Sequence, residues 1–188
     1  MRQELQFHLT SAAPLLMHNG QLSDPLNPWS QAIKKITDKK RKTQADLEEI
    51  GRLEWYGGLY LFQGRPAIPR EAIKATLLRA GKSVKKGVQV KAGIVIPDHA
   101  LLDYDGPSTP DELWHDKRYV LRATKAMSGR RVVRTRPIFE TWEVRVRIAY
   151  NDESFNRAEV EELVVIAGSA VGFLEERPEY GRFNVTQL

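Results

Sequence analysis

Residues 141–150, TWEVRVRIAY, carry the strongest strand pattern in the chain, because apolar and polar side chains alternate along the whole stretch. The side chains predicted to enter the core are Trp142, Val144, Val146 and Ile148. The opposite side carries Glu143, Arg145 and Arg147. We therefore predict a β-sheet with one buried face and one open face that bears arginines.

Further elements are placed outward from this strand. In chain order we predict a strand at 2–11, a helix from Pro69 to Gly81, a short strand at 92–97, a helix after Ser154 or Asn156, and a last strand at 181–188. Together with the hairpin described next, the order β-α-β-β-α-β predicts an α+β protein with a ferredoxin-like, RRM-like core.

Two insertions interrupt this core, at about residues 20–65 and 99–137. The first is predicted to be helical, since Asn27 precedes a proline at a typical helix start. The second contains two strand-like runs, RYVLRA and RRVVRTR, which predict a basic β-hairpin. With 188 residues the chain has little room for a second core, so we expect residues 1–188 to form a single domain.

Composition excludes several classes of protein. The chain has no cysteine, which excludes a disulfide scaffold and a thiolate metal site and fits a reducing cytosol. The N-terminal residues MRQELQFHLT alternate instead of forming the apolar core of a signal peptide, and no run is long enough to span a membrane. We therefore expect a cytoplasmic protein with no membrane partner.

The charge is distributed unevenly along the chain. The net charge is +5, but residues 151–188 hold eight acids and three bases, a net of −5. Residues 1–150 therefore carry about +10. Phosphate backbones are the commonest strong partners of a basic surface of this kind, so we expect single-stranded RNA or DNA as the partner. Solubility alone is the alternative explanation of the charge.

Three basic segments supply the positive charge. Two lie at 34–42 and 70–91, and the third, at 117–136, has eight bases and no acid. Arginine dominates the third segment and binds phosphate through paired hydrogen bonds while also stacking on bases. In an extended hairpin Arg130, Arg134 and Arg136 would share one face, and Arg131 would lie on the other. The predicted nucleic-acid-binding residues of the hairpin and sheet face are Arg118, Arg122, Lys125, Arg130, Arg131, Arg134, Arg136, Arg145 and Arg147.

Three segments resemble motifs of the RAMP superfamily, the backbone subunits of CRISPR interference complexes. PAIPREAIKATLLRAG at 66–81 is similar to the Ile-Pro turn and helix of that family, and SAAPLLMHNG at 11–20 is similar to its first loop. GSAVGFLEERPEYGRFNV at 168–185 looks like its glycine-containing loop. The chain departs from the usual pattern at Arg70 and Ala75, where the family has glycine, and it resembles a divergent, phage-encoded relative.

The resemblance implies a function as well as a fold. It implies that the inserted hairpin is a thumb laid across guide RNA, in a protein that repeats as a homo-oligomer or beside sister subunits. Arg70, Lys74, Arg79 and Arg182 would support the phosphates. A glycine loop lets a backbone approach phosphate closely, although Gly172 and Gly181 are equally explained as a helix C-cap and a turn.

One candidate catalytic residue follows from the same resemblance. RNA-cleaving members carry an aspartate after the first strand, and Asp24 lies at a comparable place. It could position Mg²⁺ or a ribose hydroxyl, whereas an Asx-type turn before Pro25 is the alternative. The four histidines lack metal-ligand spacing, so no metal site is predicted, and no cofactor is expected unless Mg²⁺ serves a nuclease.

The sequence therefore supports several hypotheses. The leading hypothesis is non-catalytic binding of single-stranded nucleic acid, with RNA favoured, by repeated subunits whose acidic C-terminal part contacts the basic part of the next copy. The alternatives are a metal-dependent ribonuclease using Asp24, a phage single-stranded DNA-binding or annealing protein, and a protein–protein adaptor for an acidic partner.

Overall fold

The chain forms an α+β protein with antiparallel sheets, as predicted. The structure is a computed structural model. It describes residues 1–127 and 129–188, apart from the side chains of Met127 and Arg130. In these ranges the strands are β1 (Arg2–Ser11), β2 (Leu15–Leu16), β3 (Leu61–Phe62), β4 (Arg65–Ile68), β5 (Ile94–Val95), β6 (Ala100–Leu101), β7 (Val120–Met127), β8 (Arg130–Phe139), β9 (Glu143–Asn151) and β10 (Phe183–Gln187). The helices are α1 (Pro28–Thr37), α2 (Gln44–Gly58), α3 (Arg70–Ser83), α4 (Gly87–Gly93), α5 (Pro110–His115) and α6 (Arg157–Ile166). None of the helices in the two described ranges has both the length and the apolar character that a bilayer crossing requires.

The chain divides into two compact units, each built from separated segments. The first unit consists of Met1–Leu15, Leu61–Asp105 and Glu140–Leu188. The second unit consists of Leu16–Tyr60 and Gly106–Phe139. The single domain expected over 1–188, with insertions at about 20–65 and 99–137, stays a prediction.

The first unit contains a sheet with the strand order β10-β1-β9-β5, in which neighbouring strands are antiparallel. Buried and exposed side chains alternate along β1 and β9, as predicted. Phe7 of β1, for example, lies opposite Val146 of β9, and both side chains are buried. Along β9 the alternation is complete from Glu143 to Ile148. The buried stripes of α3 and α6 belong to the same unit and pack against each other. One face of the sheet thus forms the core with these helices.

The helix predicted from Pro69 to Gly81 corresponds to α3. Its predicted end at Gly81 is wrong, because α3 continues to Ser83. Gly81 is buried, and a Cβ at this position would lie 2.6 Å from Cγ2 of Val90 in α4. The glycine is therefore needed for the close approach of α3 and α4, and not for a left-handed helix end.

The second unit pairs the β7–β8 hairpin with two helices. Asn27 caps α1 as predicted, since its side chain accepts a hydrogen bond from the Trp29 amide. Thr43 and Asp46 form a reciprocal capping box at the start of α2. The hairpin strands are longer than the sequence suggested, because the residues expected in the connection, from Lys125 to Met127, belong to β7.

Candidate nucleic-acid interface

The register of the β7–β8 hairpin sorts its cations onto two faces. Leu121 lies opposite Arg136, and Ala123 opposite Arg134, so these arginines share one face with Lys125. Arg122, which pairs with Thr135, lies on the other face. Arg131 pairs with Ala126 on that second face and is exposed. The sequence had predicted this division for Arg131 against Arg134 and Arg136, whereas the side chain of Arg130 lies outside the described residues.

The first face of the hairpin forms one wall of a cavity of about 500 Å³ within the second unit. We call it the cationic cleft, and its lining is His18, Leu22, Ser23, Ser30, Ile33, Lys34, Thr37, Glu54, Lys125, Arg134 and Arg136. Four of these residues are permanent cations, and Glu54 is the one acid in this lining. The α1 lysine, Lys34, comes from the first basic segment, and the other cations come from the third. The fold thus joins two basic segments that are far apart in sequence.

Glu54 orders the arginine side of the cationic cleft. The residue is 5% exposed, and its carboxylate accepts hydrogen bonds from the Thr135 amide at 3.0 Å and from the Arg134 guanidinium. Arg136 is also buried, at 4% exposure. A buried carboxylate that binds both a backbone amide and a guanidinium holds the strand and the side chain together. Arg134 and Arg136 are therefore positioned groups, whereas Lys34 is exposed and Lys125 half-buried at the cleft.

Asp24 occupies an Asx-type turn, which was the alternative to its catalytic role. Its carboxylate accepts a hydrogen bond from the Leu26 amide at 2.9 Å, and its residue is exposed. Leu22 and Ser23 line the cationic cleft, and Asp24 is outside that lining. Within residues 1–127 and 129–188 no three His, Asp or Glu side chains are grouped so that they could hold a metal ion.

The open sheet face of the first unit holds Arg145 and Arg147 among acids. Arg147 donates to Asp98 at 2.7 Å through Nε and pairs with Glu4 at 3.3 Å, and the contact with Asp98 raises the pKa of the Arg147 guanidinium. His8 and Glu143 lie 2.8 Å apart on the same face. The positive charge of this face is therefore largely compensated by its neighbours.

The four supporting cations in the first unit have different surroundings. Arg70 pairs with Glu71 at 2.9 Å, and Arg79 and Arg182 are exposed. Lys74 is half-buried, its ammonium donates to the carbonyls of Val90 and Ile94, and burial lowers its pKa. The structure thus gives Lys74 a local role in holding the end of α4.

The glycines of the 172–181 loop serve backbone packing. Gly172 has φ +80° and caps the π-helical turn Ala167–Val171 that follows α6, and Gly181 has φ +75°. A Cβ on Gly181 would lie 2.1 Å from the carbonyl oxygen of Phe173. The Phe173 amide donates to the Gly181 carbonyl at 2.9 Å. The close approach that requires glycine here is between two segments of this chain.

The second face of the hairpin contributes to another cavity in the second unit, of about 400 Å³. We call it the indole cleft, and its lining is Glu48, Gly51, Trp114, Lys117, Val120, Arg122 and Thr135. Arg118 lies outside that lining and pairs with Asp116 at 2.7 Å. Lys34, Trp114 and Lys117 were absent from the predicted site residues. A tryptophan three residues before the arginine-rich segment was the one sequence signal for this cleft.

The predicted site residues therefore fall into three groups, the first of which comprises Asp24, Arg118 and Arg131 in the second unit, outside the linings of both clefts. Lys125, Arg134 and Arg136 meet in the cationic cleft and Arg122 joins the indole cleft, whereas the predicted residues of the first unit are dispersed or engaged in local contacts. The sequence matches no protein-family model and no curated protein.

Proposed function

We propose that this protein binds single-stranded nucleic acid without cleaving it, and that the strand's phosphates enter the cationic cleft. The observation that carries the proposal is the convergence of Lys34 with Lys125, Arg134 and Arg136 around one cavity of about 500 Å³. Oriented arginines match the paired acceptor oxygens of a phosphate, and the two lysines add charge at positions that solvent reaches.

The charge balance of the two units supports this choice of surface. The second unit holds 15 of the 29 Lys and Arg residues and 9 of the 24 Asp and Glu residues, a net charge of +6. The first unit has a net charge of −1. An electrostatic field of this kind attracts a polyanion to the second unit, where both clefts lie.

A ferredoxin-like core in the first unit, and with it a distant relationship to the RAMP superfamily, is also proposed. The strand order β10-β1-β9-β5 supports it, as does the position of α3 after β1 and of α6 before β10. The preference for RNA, the cytoplasmic location, the absence of a cofactor and the repetition of subunits along a strand follow as parts of this proposal.

The experiment measures binding of fluorescent RNA and DNA strands of about 30 nucleotides across an NaCl series from about 50 to about 500 mM. The test variant is the double substitution Lys34→Gln and Lys125→Gln. The matched control is Arg2→Gln with Lys40→Gln, which removes the same charge from exposed positions outside both clefts.

The wild-type affinity is expected to fall steeply with salt, since cations bound to phosphates release counterions. Loss of two phosphate contacts should reduce the log–log salt slope by about 1.4 and weaken binding by roughly 10- to 100-fold at low salt. The control should lose far less. Equal losses in both double variants, or wild-type binding that ignores salt, would show that the cationic cleft is not the phosphate site.

A further inference from the structure

Trp114 is held as a rigid platform at the indole cleft. It lies in α5, whose start is capped by Thr109 and whose Leu113 is fully buried. Its ring packs against the ring of Trp55, with 5.6 Å between the ring centroids. Trp55 is itself fixed by a 2.8 Å hydrogen bond from its indole nitrogen to the Tyr119 carbonyl. The Trp114 residue nevertheless stays half-exposed. An indole that is fixed from behind and open in front can accept another ring with little loss of side-chain entropy.

The cations beside this indole are Lys117 and Arg122, which line the same cleft. The ammonium of Lys117 lies 5.2 Å from the centre of the Trp114 ring. Arg122 is exposed on the same cleft. Neither side chain forms an ion pair with the residues that the structure describes, whereas the adjacent Arg118 is paired with Asp116. Two cations without an ion-pair partner among the described residues, in the same lining as a half-exposed indole, attract an anion that carries its own ring system.

The dimensions of the indole cleft also fit a nucleotide. Its volume of about 400 Å³ lies in the range of small-ligand sites, and its lining is mixed. Glu48 lies in the lining as well and would repel a phosphate, so the phosphate is expected on the side of Lys117 and Arg122. The cleft therefore supplies an indole for a base and two cations for its phosphate.

We propose that the indole cleft binds one nucleotide of the strand, with its base stacked on Trp114 and its phosphate held by Lys117 and Arg122. This proposal rests on the proposed function, because it adds a base contact to the phosphate contacts assigned to the cationic cleft. On binding, the base takes the position over the indole that the Lys117 ammonium now occupies, and the ammonium turns to the phosphate.

The test follows tryptophan fluorescence during titration with two strands of equal length, one normal and one abasic, each of about 30 units. The chain has four tryptophans, of which Trp55 and Trp142 are 0% and 1% exposed. Trp29 is half-buried and stacked on Tyr56 at 5.9 Å, outside both clefts. Trp114→Phe is therefore compared with Trp29→Phe.

Trp114→Leu and Arg122→Gln measure affinity, with Arg2→Gln as the matched charge control, and urea unfolding confirms that each variant is folded.

Stacking on Trp114 predicts that the normal strand quenches the wild type and Trp29→Phe but not Trp114→Phe. The abasic strand should bind through its phosphates without this quenching. Trp114→Leu should weaken binding of the normal strand by roughly 10- to 100-fold and leave the abasic strand's affinity unchanged. Arg122→Gln should weaken both strands by more than Arg2→Gln does.

Two outcomes would overturn this inference and spare the proposed function. One is equal quenching by the abasic and normal strands, and the other is unchanged affinity of folded Trp114→Leu for a normal strand that still depends on Lys34 and Lys125. If neither strand binds the wild type at low salt, the proposed function itself fails.

Discussion

Glu54 is the single residue on which the order of the cationic cleft depends most. It is a carboxylate from α2 that is 5% exposed, and it binds both the Thr135 amide and the Arg134 guanidinium of β8. Removing its charge takes away one carboxylate partner of the half-buried Arg134 guanidinium and weakens the attachment of β8 to α2.

We expect Glu54→Gln to lower the free energy of unfolding by about 2 kcal/mol, because the amide cannot replace both charge-assisted bonds. Urea unfolding measures the loss. Glu49→Gln is the matched control, since Glu49 pairs with Arg52 at 2.8 Å on the surface of the same helix and should lose less than about 1 kcal/mol. Equal losses in the two variants would contradict a special role for Glu54.

Lys74 shows what residue patterns in a sequence leave undetermined. Its position in an amphipathic helix with nearby bases predicted a phosphate contact, but its ammonium is engaged by the carbonyls of Val90 and Ile94. Helical periodicity tells which face a lysine occupies and does not tell which segment covers that face. The phosphate role of Lys74 stays a prediction that this local contact disfavours.

At the scale of elements, the capping box that begins α2 makes its first turn sensitive to acid. The Lys39 ammonium donates to Asp46 at 2.6 Å, and the Thr43 amide donates to it at 2.9 Å. These bonds, with the one from Lys39 the stronger, lower the pKa of Asp46 from 3.8 to about 2. Because the folded-state pKa lies below the unfolded value, the stabilising contribution is complete above pH 3.8 and is lost as the pH falls towards 2.

The substitution Asp46→Asn tests this acid sensitivity through the difference in free energy of unfolding between the wild type and the variant. This difference should be largest near neutral pH and should shrink as the pH falls from 3.8 to about 2, since the protonated carboxyl no longer accepts the same bonds. Thermal unfolding at a series of pH values measures it. In a protein that also carries Lys39→Gln, the pH midpoint at which this difference is lost should move towards 3.8, because Asp46 then lacks the bond that lowers its pKa most. A difference that is independent of pH would contradict the acid-sensitive cap.

The elements that could be predicted from sequence are those with an uninterrupted local signal. Alternation is continuous from Glu4 to Thr10 in β1 and from Glu143 to Ile148 in β9, and the capping residue Asn27 precedes α1, so these local patterns were sufficient. The short helices α4 and α5 were missed, because six or seven residues are too few to establish a helical period.

The candidate site was only partly predictable, because it depends on contacts between distant segments. Side chains alternate between the two faces along a single strand, so the separation of Arg131 from Arg134 and Arg136 in β8 was predictable. The meeting of Lys34 with Lys125 was not, since about 90 residues separate them and only the packed helices bring them to one cavity. Trp114 and Arg122 are only eight residues apart, and their meeting in one cleft depends on the short helix α5, which the sequence did not indicate.

At the scale of the whole molecule, the division into units changes the meaning of the charge pattern. Along the sequence the positive charge spreads over residues 1–150, and residues 151–188 are acidic. In the fold, the bases at 65–91 share the first unit with those acids, so that unit is nearly neutral at −1. The second unit retains +6. Segments add to one electrostatic surface only where the fold unites them.

This charge balance predicts how copies assemble. The second units of two free copies, at +6 each, repel each other, whereas a phosphate strand bound to both removes that repulsion. We therefore expect mainly monomers without nucleic acid at low salt, and a number of copies per strand that rises between strands of about 15 and about 60 nucleotides. Sedimentation velocity measures both quantities, with Lys34→Gln plus Lys125→Gln as the variant that should load fewer copies. One copy per strand at every length would contradict assembly along the strand, because a basic unit that binds phosphate without sequence selection has no reason to leave most of a long strand empty.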